Sequence, residues 1–241
     1  MKPDLAQAAA ALLGSPWTWV LATLLAYRLA VGLHRRSGFK AWSHPVAVAT
    51  LILAAVLGAL GVDYQTYFDG ARLIHWLLGP ATVALAVPLY RQLARLRRDW
   101  LAFGLGALLG SATAVVSAIV LASLLGASRE TVLSMSAKSV TMPIALGITD
   151  KLGGTPSLTS AFVMLTGILG AALAPALLKR VGLSAPDTTG FSLGVVSHGI
   201  GTSRALQESQ EMGAFASLAM GLAGMFTGLL VPVLWSALPV K

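Results

Sequence analysis

The sequence contains no cysteine, which excludes disulfides, thiolate metal sites and cysteine nucleophiles. It is also poor in charge: Asp, Glu, Lys and Arg make up 11% of the 241 residues, against roughly 25% in an ordinary soluble domain. Acid is the scarcer sign, with 9 Asp and Glu against 17 Lys and Arg. Histidine occurs only at His34, His44, His75 and His198, in separate segments without HxxxH or HExxH spacing. A zinc site therefore has no donor set to draw on. No GxSxG elbow occurs, and Gly199, Ile200 and Gly201 lack the strand and helix context of a dinucleotide fingerprint. The expectation is a protein that is not an enzyme and carries no cofactor or metal.

What is present is apolar, at 56% of residues. Residues Leu5 to Tyr27, Val46 to Val62, Trp100 to Ser128, Leu152 to Leu178 and Met212 to Val240 contain no Asp, Glu, Lys or Arg. Runs of this length are read as membrane spans. The first outlasts the apolar region of a signal peptide, so a cleaved leader of a secreted domain is the poorer reading. A net charge of +8 would suggest nucleic acid in a soluble protein. Here Arg35, Arg36 and Lys40 form one cluster and Arg91, Arg95, Arg97 and Arg98 another, each just after an apolar run, as positive-inside loops do. Both loops are expected in the cytoplasm and the acidic segment Asp63 to Asp69 outside. The expected location is the inner (plasma) membrane, multi-pass, in contact with the bilayer and not with nucleic acid.

Several segments are too polar or too interrupted for a plain span. Leu73 to Tyr90 holds Gly79, Pro80 and Pro88, and proline removes an amide donor and clashes with the preceding turn. Glu130 to Pro156 carries Ser134, Ser136, Lys138, Ser139, Thr141, Pro143, Thr149, Asp150 and Lys151. Thr188 to Leu206 sets His198 and Arg204 among Gly190, Gly194, Gly199 and Gly201. All three are expected to be broken helices. Trp100 to Leu125 and Met212 to Trp235 are glycine-rich, which lets helices approach closely in lipid.

A gapless shift of 115 residues lays Val46 to Val62 on Ala161 to Leu177, Gly79 to Gln92 on Gly194 to Gln207, and Trp100 to Leu125 on the final span. Such overlay of hydropathy is the mark of an internal repeat. The expected fold is one all-α polytopic membrane domain over residues 1–241, with six to eight membrane segments. Its repeat halves, about 17–126 and 132–240, are parallel or inverted according to parity.

Broken helices at membrane depth survive where protein or water satisfies their backbone, so they line cavities. Their N-termini offer amide donors and partial positive charge to an anion. Lys138, Ser139 and Thr141 precede Pro143, and His198, Thr202 and Arg204 follow one another among glycines. An intramembrane lysine is costly and usually functional, and arginine matches a carboxylate with two parallel donors. These six residues are the candidate substrate site. The bland alternatives are a snorkelling Lys138, a structural His198 and a positive-inside Arg204. Tyr64, Tyr67 and Phe68 read as an interfacial aromatic belt.

The stretches GPATVALAVPLYRQ (79–92), KSVTMPIA (138–145), LGGTPSLTSAFVMLTGILGA (152–171) and SHGIGTSRALQ (197–207) resemble the LrgB/CidB family, with likeness from about Trp17 to Pro232. The resemblance implies a holin-associated or antiholin-like membrane protein that influences murein hydrolase activity and autolysis. It equally implies carriage of small carboxylates, glycolate and glycerate in plastid relatives and pyruvate in some bacterial ones, beside a small LrgA/CidA-like partner. Homo-oligomers are compatible with both. Where that family leads one to expect Asn-Pro-Val, this chain has Ser43, His44, Pro45 and Val46. Broken polar segments favour the carboxylate transporter; a regulator without transport of its own is the alternative.

Overall fold

A computed structural model describes residues 13–38, 43–84 and 86–237. Lys40 and the first residues of the opening apolar run lie outside the described residues. Every regular element among those described is helical. The chain divides into two compact units, Met1–Ala84 and Leu85–Lys241, a boundary that does not coincide with the one between the expected repeat halves.

In the first unit α1 (Pro16–Arg36) starts on Ser15 with proline in its first turn and ends in His34, Arg35 and Arg36, cations that complement the helix C-terminus. α2 (Pro45–Leu60) again begins on proline and stops at Gly61, whose φ of 64° supplies the left-handed cap. The two pack through Ala26, Ala30 and Ala49. At 16 residues α2 rises about 24 Å, short of the roughly 30 Å hydrocarbon core. It was expected to cross alone. It reaches span length only together with α3 (Tyr64–Gly70), bent 119° away from it.

The aromatic segment is more than a belt. α3 is capped by the Asp63 carboxylate, which accepts from the Thr66 amide at 3.0 Å. It lies against α1, where Tyr67 meets the buried Trp19 edge-on at 5.8 Å and shares a 3.0 Å hydrogen bond with Thr23. Gly70 is required there, because a β-carbon on it would fall 2.3 Å from Trp19 Cδ1. The departure Ser43–His44 also has a place: the buried Ser43 hydroxyl sits 3.0 Å from His34 Nδ1 and 2.5 Å from Ser37 Oγ, tying the start of α2 to the end of α1. The proline-interrupted stretch is broken at Leu77, between α4 (Arg72–Trp76) and α5 (Leu78–Ala84), and is helical again over α6 (Ala86–Arg91).

The second unit continues with α7 (Leu93–Arg98), α8 (Trp100–Leu124), α9 (Arg129–Ser136), α10 (Met142–Leu152), α11 (Pro156–Arg180), α12 (Pro186–Glu208) and α13 (Gln210–Ala237). α8 and α13 run in the same direction. Phe103 stacks on Phe215 at 5.1 Å near their starts, and Val115, Ile119 and Ala122 share a cluster with Val231 and Trp235 near their ends. These are the two helices that the 115-residue shift overlays, so an inverted relation is excluded for this pair. The shift fails elsewhere: α1 is unbroken where α9 and α10 are separate.

α1, α8, α11 and α13 are long and apolar enough to cross a membrane, with a fifth only where the bent pair of α2 and α3 is counted as one span. The higher expectation of six to eight segments is met only if broken helices count. Leu165, Leu169, Leu173 and Leu177 form an exposed stripe along α11, the surface that lipid wets. The described helices thus form a multi-pass membrane protein.

Candidate functional site

α12 is two helices. At His198 the backbone takes φ 41° and ψ −129°, a conformation that side chains other than hydrogen strain to adopt. Close contacts show what the break does. A β-carbon on Gly190 would sit 2.2 Å from the Met212 carbonyl oxygen and one on Gly194 2.2 Å from that of Ala216, so residues 186–197 (α12a) run parallel to α13. On the other limb, a β-carbon on Gly213 would strike Leu206 at 2.3 Å and Thr202 Oγ1 lies 3.4 Å from the Ala216 oxygen, so residues 199–208 (α12b) run antiparallel to it. Gly201 closes the hairpin, its β-position 2.3 Å from the Leu193 oxygen. The chain enters, turns at His198 and returns to the face it came from.

That face is held by Arg95 of α7. Its guanidinium donates to Asp187, in the first turn of α12, and to Glu211 at 2.5 Å, in the first turn of α13, and lies 5.2 Å above the Phe215 ring. Arg91 donates to Gln210 at 2.8 Å. Both carboxylates sit at helix N-termini, where negative charge is favoured. Reading the Arg91 to Arg98 cluster as topological alone missed this; the signal was two acids opening helices in an acid-poor stretch.

α9 and α10 form the second break. α9 starts beside the far end of α13, with the Arg129 guanidinium 5.2 Å from the Trp235 ring centre. The chain unwinds over residues 137–141, and α10 returns: the Thr155 amide that follows it donates to Ser134 Oγ at 2.8 Å. Ile144, near its start, lies against Gly224 at a β-carbon distance of 2.8 Å, while Ile148 reaches the cluster of Val231. This hairpin enters from the face opposite to that of α12.

The two turns meet at one depth. The position beside His198, Gly199, faces Met220 at 4.0 Å, and the start of α10 faces Gly224; Met220 and Gly224 bracket the centre of the 28-residue α13. Val163 of α11 serves both, its side chain in the cluster of Ala137 and Val140 and its carbonyl accepting from His198 Nε2 at 3.1 Å. Gly167 makes room for the imidazole, since a β-carbon there would come within 2.8 Å of Nε2. Both return helices, α10 and α12b, therefore begin at mid-depth; at the start of α10 Pro143 has no amide hydrogen and the Ile144 amide donates to the Thr141 carbonyl at 3.0 Å.

Each expected site residue can now be located. Lys138 is half-buried in the α9–α10 turn and donates to Ser139 Oγ at 3.3 Å; Ser139 is buried. Thr141 is the N-cap of α10 and makes no side-chain capping bond. His198 is the opposing turn, 5% exposed. Thr202 spends its hydroxyl proton inside the hairpin, on the His198 carbonyl at 2.8 Å. Arg204 is not with them. It donates to the Ala171 carbonyl at 2.7 Å, which is eight residues beyond Val163 and so about 12 Å further along α11. Ser197, buried beside His198 and without a hydrogen-bond partner among the described residues, was not anticipated.

Comparison with known proteins agrees with the sequence resemblance. A sequence model of the LrgB-like family matches residues 23–237. The uncharacterized protein YxaC of Bacillus subtilis is 36% identical over 215 residues, covering 88% of this chain and 93% of that one. The holin-like protein CidB of Staphylococcus epidermidis is 30% identical over 191 residues, 79% of this chain and 83% of its own. The antiholin-like protein LrgB of Bacillus mycoides is 29% identical over 220 residues, 91% and 95% of the two chains. No solved structure matches.

Proposed function

The chain belongs to the LrgB-like family, and from that premise we propose that it carries small carboxylates of the glycolate, glycerate or pyruvate class across the plasma membrane. One observation supports the reading above all: two helical hairpins enter from opposite faces and turn beside Met220 and Gly224 at the centre of α13. Opposed half-helices bring the partial positive charge of two helix N-termini to the same depth, which suits a carboxylate. Lys138 adds a full charge, Ser139 and Thr141 add hydroxyls, and His198 holds a titratable ring at the turn that must move if the path opens. A small LrgA/CidA-like membrane protein is the proposed partner, and a second copy of the chain an admissible one.

The second reading is an antiholin-like regulator of murein hydrolase activity and autolysis without transport of its own. It is favoured by the names of the CidB and LrgB relatives, and on names alone it is the better supported. Uptake of labelled glycolate and pyruvate into proteoliposomes, with and without an LrgA/CidA-like partner, separates the two. Transport predicts saturable uptake that Lys138→Ala abolishes. No uptake under either condition, together with altered murein hydrolase activity in cells lacking the protein, establishes the regulator instead.

A further inference from the structure

The displacement of Arg204 from the mid-depth turns leaves a charged group without a role in them, and the structure gives it other company. Between the end of α11 and the base of the α12 hairpin lies a cavity of about 200 Å³ lined by Lys179, Ser184, Thr189, Arg204 and Glu208, among others. It opens on the face that carries Arg91 and Arg95, since Arg95 pairs with Asp187 at that same base. We infer that this cavity is a loading station for the small carboxylate, a second binding site on the basic face. The inference rests on the carboxylate reading above.

Three observations carry it. First, the charge is free: among the described residues neither Lys179 nor Arg204 forms an ion pair. Arg204 uses Nη1 on the Ala171 carbonyl, which fixes the guanidinium while leaving most of its five donors. Second, the groups are those a hydroxy or keto acid needs. Two cations suit the carboxylate, and the Ser184 and Thr189 hydroxyls suit the second oxygen. Glu208 leaves a net single positive charge, enough to attract a monoanion and to release it. Third, the size is right. A cavity of about 200 Å³ has room for a three-carbon acid with some solvent.

Position gives the site its use. Arg204 lies six residues beyond His198, about 9 Å along α12b, so an acid leaving the cavity for the turn travels along one half-helix toward its amide end. A cation pair at the entrance raises the local concentration of an anion before it reaches the low-dielectric centre. The station is therefore one-sided: it serves substrate arriving at the basic face only.

The test measures both binding and sidedness. Labelled pyruvate is titrated onto purified protein in uncharged detergent, and half-saturation is measured in oriented proteoliposomes with pyruvate offered at each face in turn, for the parent, Lys179→Gln and Arg204→Gln. Lys179 is exposed, so its variant folds whatever becomes of Arg204→Gln. Because Lys179 is exposed and its charge is screened by solvent, Lys179→Gln is expected to raise half-saturation about fivefold at the basic face. With the maximal rate from the basic face unchanged, the maximal rate from the opposite face falls by the same factor, because a carrier cannot shift the equilibrium, while half-saturation there stays level. Transport by the parent with half-saturation unaltered at both faces in both variants overturns the station and leaves the carboxylate reading standing. Binding without transport, lost in Lys179→Gln, keeps the cavity as a carboxylate site but overturns the transport reading and with it the loading role. A parent that binds no pyruvate overturns the station, as does displacement of bound pyruvate by an anionic phospholipid, which would assign the cavity to a headgroup.

Discussion

Replacing Gly194 with alanine tests whether α12 really doubles back against α13. The new β-carbon would lie 2.2 Å from the Ala216 carbonyl oxygen, 2.9 Å from its carbon and 2.8 Å from Ala219 Cβ. Carbon atoms rest at about 3.5 to 4.0 Å, so the helices must separate by about 1 Å. Since two of the three atoms are backbone, no rotamer change relieves the clash. Overpacking of this kind costs up to about 3 kcal/mol, offset by about 1 kcal/mol of improved helix propensity, leaving a loss of about 2. Gly221 on α13 is the matched control, because nothing lies within 4 Å of its β-position and Gly221→Ala gains only the propensity. The two variants should differ by about 3 kcal/mol, or on the order of 6 to 12 °C in Tm at about 2 to 4 °C per kcal/mol. Thermal unfolding in detergent, followed by tryptophan fluorescence, measures this. Equal midpoints for Gly194→Ala and Gly221→Ala would refute the parallel packing of α12a on α13 and with it the hairpin.

Three further outcomes follow from the same geometry. His198→Gly relieves a positive-φ strain of about 1 to 3 kcal/mol that His198→Ala keeps, so the glycine variant should unfold at the higher temperature although both lose the bond to Val163; the reverse order would show that the turn is unstrained. Arg95→Ala removes a half-exposed pair of ion contacts worth about 1 kcal/mol after screening. The parent midpoint should therefore fall as salt is raised from about 0.1 to 1 M while the variant's stays level, and parallel salt curves would sink the clamp. In this cysteine-free chain, Gln92→Cys and Lys179→Cys should react with an impermeant thiol reagent from one side and Asp150→Cys from the other; labelling of all three from one side contradicts the opposed hairpins.

The spans were legible because lipid demands long charge-free runs: α8, α11 and α13 match those runs within four residues at each end, while α1 carries on nine residues past Tyr27, through Arg28, to Arg36. The breaks were legible too, since glycine, proline and polar residues mark them at 137–141 and at His198. Direction was not. Hydropathy records how apolar a segment is, and a half-helix that turns back leaves the same composition as one that goes through. The reversal at His198 is written instead in which glycines face backbone oxygens, Gly190, Gly194 and Gly201, a fact of packing that no local period expresses.

The same gap explains why Lys138 and Arg204 were placed together. Both stand in glycine- or proline-broken polar segments, and by sequence each is close to its break. Yet six residues of helix beyond His198 are about 9 Å of depth, and on a returning limb that depth leads back to the surface. The partner that the fold gives the Lys138 turn is the His198 turn, through Val163, while Arg204 guards the base. Under the transport reading this separation is useful: two charges in one low-dielectric site would hold an anion too tightly to release it, whereas one charge at the entrance and one at the centre let it pass by steps.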